Sequence, residues 1–125
     1  MNIGSATKTM KYFWDTFGIG DGWFEVYQVP SGKRFVLTDV FFNRTDSGTP
    51  DNAITLHRNS PDDACGVGMT RVLWINLRGT ASTANGLVFL PHQTGYEFSE
   101  NERICLATSG GGTIFYNLSG YETDM

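Results

Sequence analysis

Eight short runs rich in β-branched and aromatic residues, set apart by clusters of Gly, Pro, Asn, Asp and Ser, constrain this chain most. The runs are KYFWDTF (11–17), WFEVYQV (23–29), RFVLTDVFF (34–42), AITLHR (53–58), TRVLWINL (70–77), GLVFL (86–90), RICLAT (103–108) and TIFYNL (113–118). Short runs punctuated in this way indicate an all-β sandwich or barrel. Eight are enough for two packed sheets. The segments between them, such as GIGDG (18–22), NRTDSGTPDN (43–52) and SGGGT (109–113), supply the positive-φ residues that turns need. The expectation is a single antiparallel β-sandwich of about eight strands.

Within the third run, strict alternation puts Phe35, Leu37 and Phe41 on one face, interrupted by Asp39. Val36, Val40 and Phe42 then occupy the other. A strand apolar on both faces is expected to be covered on both, by the second sheet and by a neighbouring subunit. The first run is ambiguous. Met10, Phe13, Trp14 and Phe17 have helical spacing, with Ser5 as a cap and Gly18 as a stop. Their aromatic character favours a strand, and a strand is the reading taken.

With 125 residues, 40% of them hydrophobic and nine of them Phe, the chain supports one domain with one core. The formal charge of -4 is spread along the chain. No run of Lys or Arg is present to neutralise a row of phosphates, so nucleic acid is not an expected partner. No apolar stretch approaches the roughly 20 residues of a membrane span. The opening MNIGSATKTMKYF lacks the basic-then-apolar pattern of a signal peptide. A cytoplasmic or virion location is therefore expected. Cys65 and Cys105 are too far apart for a CxxC pair and read as two buried free thiols, with a disulfide as the alternative.

Candidate chemical motifs fall away on inspection. SGKR (31–34) lacks the first glycine, the Ser/Thr after Lys and the following helix of a phosphate loop, so it reads as a turn. GIGDG lacks dinucleotide-loop spacing and leads into a strand. His57 and His92 stand alone, without the H-x-H or H-x-D pair that would aim two ligands at one metal. Asp39, inside an apolar strand, is the one acid that could serve a small enzyme together with a histidine. Asp46 and Asp51, and likewise Asp62 and Asp63, are candidate calcium ligands, although 43–52 lacks the closing glutamate of a calcium loop. The sequons at Asn43 and Asn117 matter only on a glycosylating route. Trp14, Trp23, Trp74 and the tyrosines read as core or subunit interface, or else as a sugar-stacking platform.

YQVPSGKRFVLTDVFF together with GGGTIFYNLSGYETD resembles a type of small β-sandwich protein common in bacterial and phage genomes. In these, a "VPxGKR-apolar-TDV" strand comes early and an "apolar-x-GYE" strand closes the chain. The likeness covers the two ends of the domain and leaves the middle unmatched. It implies a jelly-roll-like sandwich, and similar domains occur in virion decoration, fibre and other oligomeric surface proteins. Its motifs are structural, so it carries over no functional residue.

Taken together, these readings point to a structural protein without enzymatic activity that assembles with itself, a trimer being favoured, and with other structural proteins. A phage decoration or capsid-associated component is the leading expectation. Trp14, Trp23, Val36, Val40 and Phe42 are the interface candidates. No cofactor is required. The alternative is a glycan-binding, lectin-like module, with calcium as an optional helper.

Overall fold

The structure, a computed structural model, describes residues 8–18, 20, 22–44, 52–59, 65–66, 69–77, 87–109 and 113–125. All eight runs become strands: β1 (Thr9–Gly18), β2 (Phe24–Gln28), β3 (Lys33–Arg44), β4 (Asn52–Asn59), β5 (Thr70–Leu77), β6 (Leu87–Phe98), β7 (Arg103–Ser109) and β8 (Thr113–Asp124). The ambiguous first run is a strand. β6 and β8 extend beyond their apolar runs, β6 through Pro91 and Gly95. Proline is tolerated there because β6 lies at the end of its sheet.

The strands form two antiparallel sheets, β1-β8-β3-β6 (sheet A) and β2-β7-β4-β5 (sheet B). β1 pairs with β8, β2 with β7, β3 with β6 and β4 with β5. The chain is thus one long antiparallel ribbon, rolled until β8 meets β3 and β7 meets β4. That is the jelly-roll arrangement.

The inward faces meet in a core of Phe17, Phe35, Leu37, Val40, Phe42, Phe98, Ile114, Tyr116 and Leu118 against Ile54, Leu56, Ile104 and Leu106. Each such large apolar side chain contributes about 1.5–3 kcal/mol on burial. The Tyr116 hydroxyl belongs to this layer, and burial, with Asp15 nearby, pushes its pKa up to about 12. Gly120 on β8 is required by packing, since an added Cβ would overlap the Val36 carbonyl and press on the Phe35 ring.

The alternation expected in β3 breaks at one residue. Against β8, the register runs Leu37↔Gly120 and then Asp39↔Ser119, so Thr38 is an extra residue, a β-bulge. Because side chains alternate with period two, the bulge exchanges the faces beyond it. Phe35 and Leu37 point into the core before it; Val40 and Phe42 do so after it. Val36, Asp39 and Phe41 are outward. The two-faced strand is corrected by this: Asp39 never interrupts the core face, and no neighbouring subunit is needed to cover Val40 and Phe42.

The cysteines are also corrected. Cys65 and Cys105 form a disulfide, with Cα atoms 5.9 Å apart. Ile104 and Leu106 point into the core, so Cys105 between them leaves β7 on its outer side and meets Cys65 on the connection from β4 to β5. Gly66, at φ 110°, lies against the Trp23 ring, where a Cβ would come within 2.8 Å of Cδ1.

SGKR is a turn, as expected. Lys33 N donates to Pro30 O at 3.1 Å, and Gly32 takes φ 80° at the third position. The Gly32 N–H that a phosphate would have used is given to the Glu100 carboxylate at 2.6 Å. The Lys33 ammonium pairs with Asp124.

Candidate functional site

The outer face of sheet A holds a cleft whose shape follows from side-chain size across three registered strands. β8 runs through the middle of β1, β8 and β3, and its outward residues are Phe115, Asn117 and Ser119. Tyr12 of β1 and Asp39 of β3 both stand opposite Ser119, while Trp14 and Phe41 both stand opposite Asn117. Short polar groups on the central strand therefore make a floor between taller neighbours. The resulting cleft, about 390 Å³, is lined by Tyr12, Asp39, Phe41, Phe115, Asn117 and Ser119. Phe41 and Phe115 meet nearly edge to face, with ring centroids 6.2 Å apart.

Asp39 reaches this cleft because of the bulge. The Thr38 hydroxyl is shared between the Ser119 carbonyl at 3.2 Å and Asp39 Oδ2 at 3.0 Å. The Ser119 hydroxyl lies 3.4 Å from the same Oδ2. Among the described residues both contacts fall on Oδ2, which leaves Oδ1 as a fixed acceptor. The proposed pairing of Asp39 with a histidine is not formed by His57. His57 faces outward from sheet B, on the far side of the sandwich, against Trp23 with ring centroids 5.0 Å apart. Burial, with Arg71 nearby, lowers the His57 pKa. The side chain of His92 lies outside the described residues.

Among the described residues the buried acid is Glu122. It is 7% exposed, accepts a 2.5 Å hydrogen bond from the Tyr27 hydroxyl and lies 3.9 Å from Lys11 Nζ. Burial and this hydrogen bond raise the Tyr27 pKa strongly. Sequence reasoning passed over Glu122 because GYE reads as the end of a strand. Its inward parity with Ile114, Tyr116 and Leu118 was the available signal.

The other expected site residues are distributed as follows. Trp14 is 68% exposed on β1, and Trp23 lies beside the disulfide on the outside of sheet B. Val36 is outward on sheet A and nearly covered. Val40 and Phe42 are core residues. Asp46, Asp51, Asp62 and Asp63 lie outside the described residues. Among the described residues no three His, Cys, Asp or Glu side chains are grouped so as to hold a metal ion. No described helix is long and apolar enough to cross a membrane.

The edge of sheet A completes the site. β1 is ten residues long, pairs on one side with β8, and has no strand on its other side among the described residues. Met10, Tyr12 and Trp14, at alternate positions, are 54%, 64% and 68% exposed.

No protein-family model matches the chain, and no curated protein does. Among solved structures, one of Bacillus endospore appendages, described as a novel family of disulfide-linked pili, aligns over 100% of this chain and 95% of that chain. Its TM-score is 0.51 at 11% identity. A structure of infectious bursal disease virus, Gt strain, aligns over 95% of this chain and 32% of that chain, with TM-score 0.35 and 11% identity. The second likeness is too slight to argue from. The first, at so low an identity, establishes only that the β-sandwich built here is shared with that appendage protein.

Proposed function

We propose that this protein is a non-enzymatic structural subunit that assembles with copies of itself through the free edge of β1. The observation that carries this reading is the edge itself. Among the described residues no strand lies beside Thr9–Phe17 on that side. Such an edge presents unpaired backbone N–H and C=O groups, which soluble proteins ordinarily blunt with charge, proline or a cover. Here the outward positions are Met10, Tyr12 and Trp14, while the charges Lys11 and Asp15 fall on the alternate positions. Pairing β1 with another edge extends sheet A in its own plane and satisfies these backbone groups. Joined to β1 of a second copy, the contact makes a two-fold dimer. Joined to a different edge, it closes a ring, of which the expected trimer is one form, or grows a filament.

The setting we propose is an exposed assembly: a phage virion, as a decoration or capsid-associated component, or a surface appendage. Two features support an exposed setting. The disulfide suits an oxidising environment such as a virion or cell surface and not a reducing cytoplasm. The appendage protein that shares the fold is itself described as a disulfide-linked pilus. Amide hydrogen exchange at high and low protein concentration tests the reading. The β1 amides that do not bond to β8 become protected as concentration rises, and Trp14→Lys removes that protection. Exchange at β1 that ignores concentration overturns the proposal.

A further inference from the structure

We propose that the cleft on the outer face of sheet A binds a neutral hexopyranose unit of a glycan, without a metal ion. A pyranose has an apolar face of C–H groups and a rim of hydroxyls that both donate and accept. The cleft answers each part. Tyr12, Phe41 and Phe115 offer ring surfaces, whose negative π-faces attract the slightly positive C–H groups. Asp39 Oδ1, a charged acceptor already oriented through Oδ2, and the Asn117 amide, both donor and acceptor, serve two adjacent hydroxyls. Apolar walls with a few convergent polar groups, at about 390 Å³, are what small-molecule sites present.

Charge narrows the ligand class. Among the described residues the lining includes one carboxylate and no Lys, Arg or His. Phosphorylated, sialylated or uronic sugars would set an anion against Asp39 with no cation among those residues to offset it, which favours a neutral ligand. One carboxylate is too few for a calcium-bridged sugar, since calcium takes 6–8 oxygen ligands. The site lies on the face of the sheet and the assembling edge lies in its plane. Binding therefore does not depend on assembly, and either reading can fail alone.

The test is a titration of isotope-labelled protein by NMR with lactose, maltose, cellobiose, mannobiose and N,N′-diacetylchitobiose. N-acetylneuraminic and glucuronic acids serve as charged controls. For a ligand of this size in an open cleft, Kd is expected on the order of 1 mM. At least one neutral disaccharide shifts the Tyr12, Asn117 and Ser119 resonances, a chelator changes nothing, and the acidic sugars shift nothing. Asp39→Asn weakens binding about tenfold, by exchanging a charged acceptor for a neutral one. Tyr12→Ala, at an exposed position that leaves the core intact, weakens it at least as much. The proposal is overturned if no neutral disaccharide shifts these resonances at tens of millimolar, or if binding survives both substitutions. It is also overturned if Asp39→Asn and Tyr12→Ala dissociate an oligomer without affecting any sugar, which would make a second copy of the chain the occupant.

Discussion

Removing the Cys65–Cys105 bond is expected to cost this protein a large share of its stability. The bond joins residues 40 apart in sequence. Cross-linking a loop of that length removes about 13 cal/mol/K from the unfolded chain, about 4 kcal/mol at 25 °C in the chain-entropy account. Single domains have total stabilities of about 5–15 kcal/mol, so the loss is substantial. An unfolding entropy of about 2.1 cal/mol/K per residue, over 125 residues, converts it to a fall in Tm of about 15 °C. The assay is thermal and urea unfolding followed by tryptophan fluorescence, on oxidised protein, reduced protein and the double variant Cys65→Ala/Cys105→Ala. Oxidised protein should also yield no alkylated thiol under denaturing, non-reducing conditions. A Tm difference below about 4 °C, equivalent to about 1 kcal/mol, would refute the entropic reasoning. Alkylation of both thiols in protein kept under air would refute the bond.

Further tests bear on the bulge, on close packing and on the buried imidazole. Phe42→Ala should destabilise by about 3–5 kcal/mol in urea unfolding and the adjacent Phe41→Ala by about 1 kcal/mol or less, because only Phe42 is core; equal costs would contradict the bulge at Thr38. Gly120→Ala should cost about 1–3 kcal/mol by the same measurement, since β3 and β8 must separate to admit a Cβ, and a neutral result would contradict the close approach. The His57 pKa is lowered on folding, so below its ordinary value of 6.5 the unfolded chain binds more protons there than the native state. Stability from this residue is therefore complete above pH 6.5 and is lost as pH falls toward the folded value. Urea midpoints at pH 7.5 and 5.5 should differ more in the native sequence than in His57→Gln, and an equal difference would remove His57 as the cause.

The eight strands were legible because local chemistry declares them. Aromatic and β-branched runs favour extended backbone, and VPSG and GIGDG interrupt them for steric reasons. Pairing was not legible, since contacts such as Thr9↔Glu122 join opposite ends of the chain and no local rule supplies them. β6 was read short because Pro91 and Gly95 look like breakers, and only its place at the sheet edge admits both. The bulge is the instructive failure. FVLTDVFF carries apolar residues at both parities, so a slip of one residue at Thr38 leaves a pattern that strict alternation still fits, with Asp39 as the apparent anomaly. The disulfide left a fainter mark: Cys105 has outward parity between Ile104 and Leu106, where a buried free thiol has no core to enter. The cleft could not be foreseen, because its floor and walls come from β1, β3 and β8 and depend on that one-residue shift.

The central claim is self-assembly, and native molar mass by light scattering at micromolar concentration tests it most directly. The account predicts a mass that is a multiple of the 13.8 kDa chain, unchanged by a calcium chelator and reduced by Trp14→Lys. A mass that stays at 13.8 kDa as concentration rises through the micromolar range would contradict it.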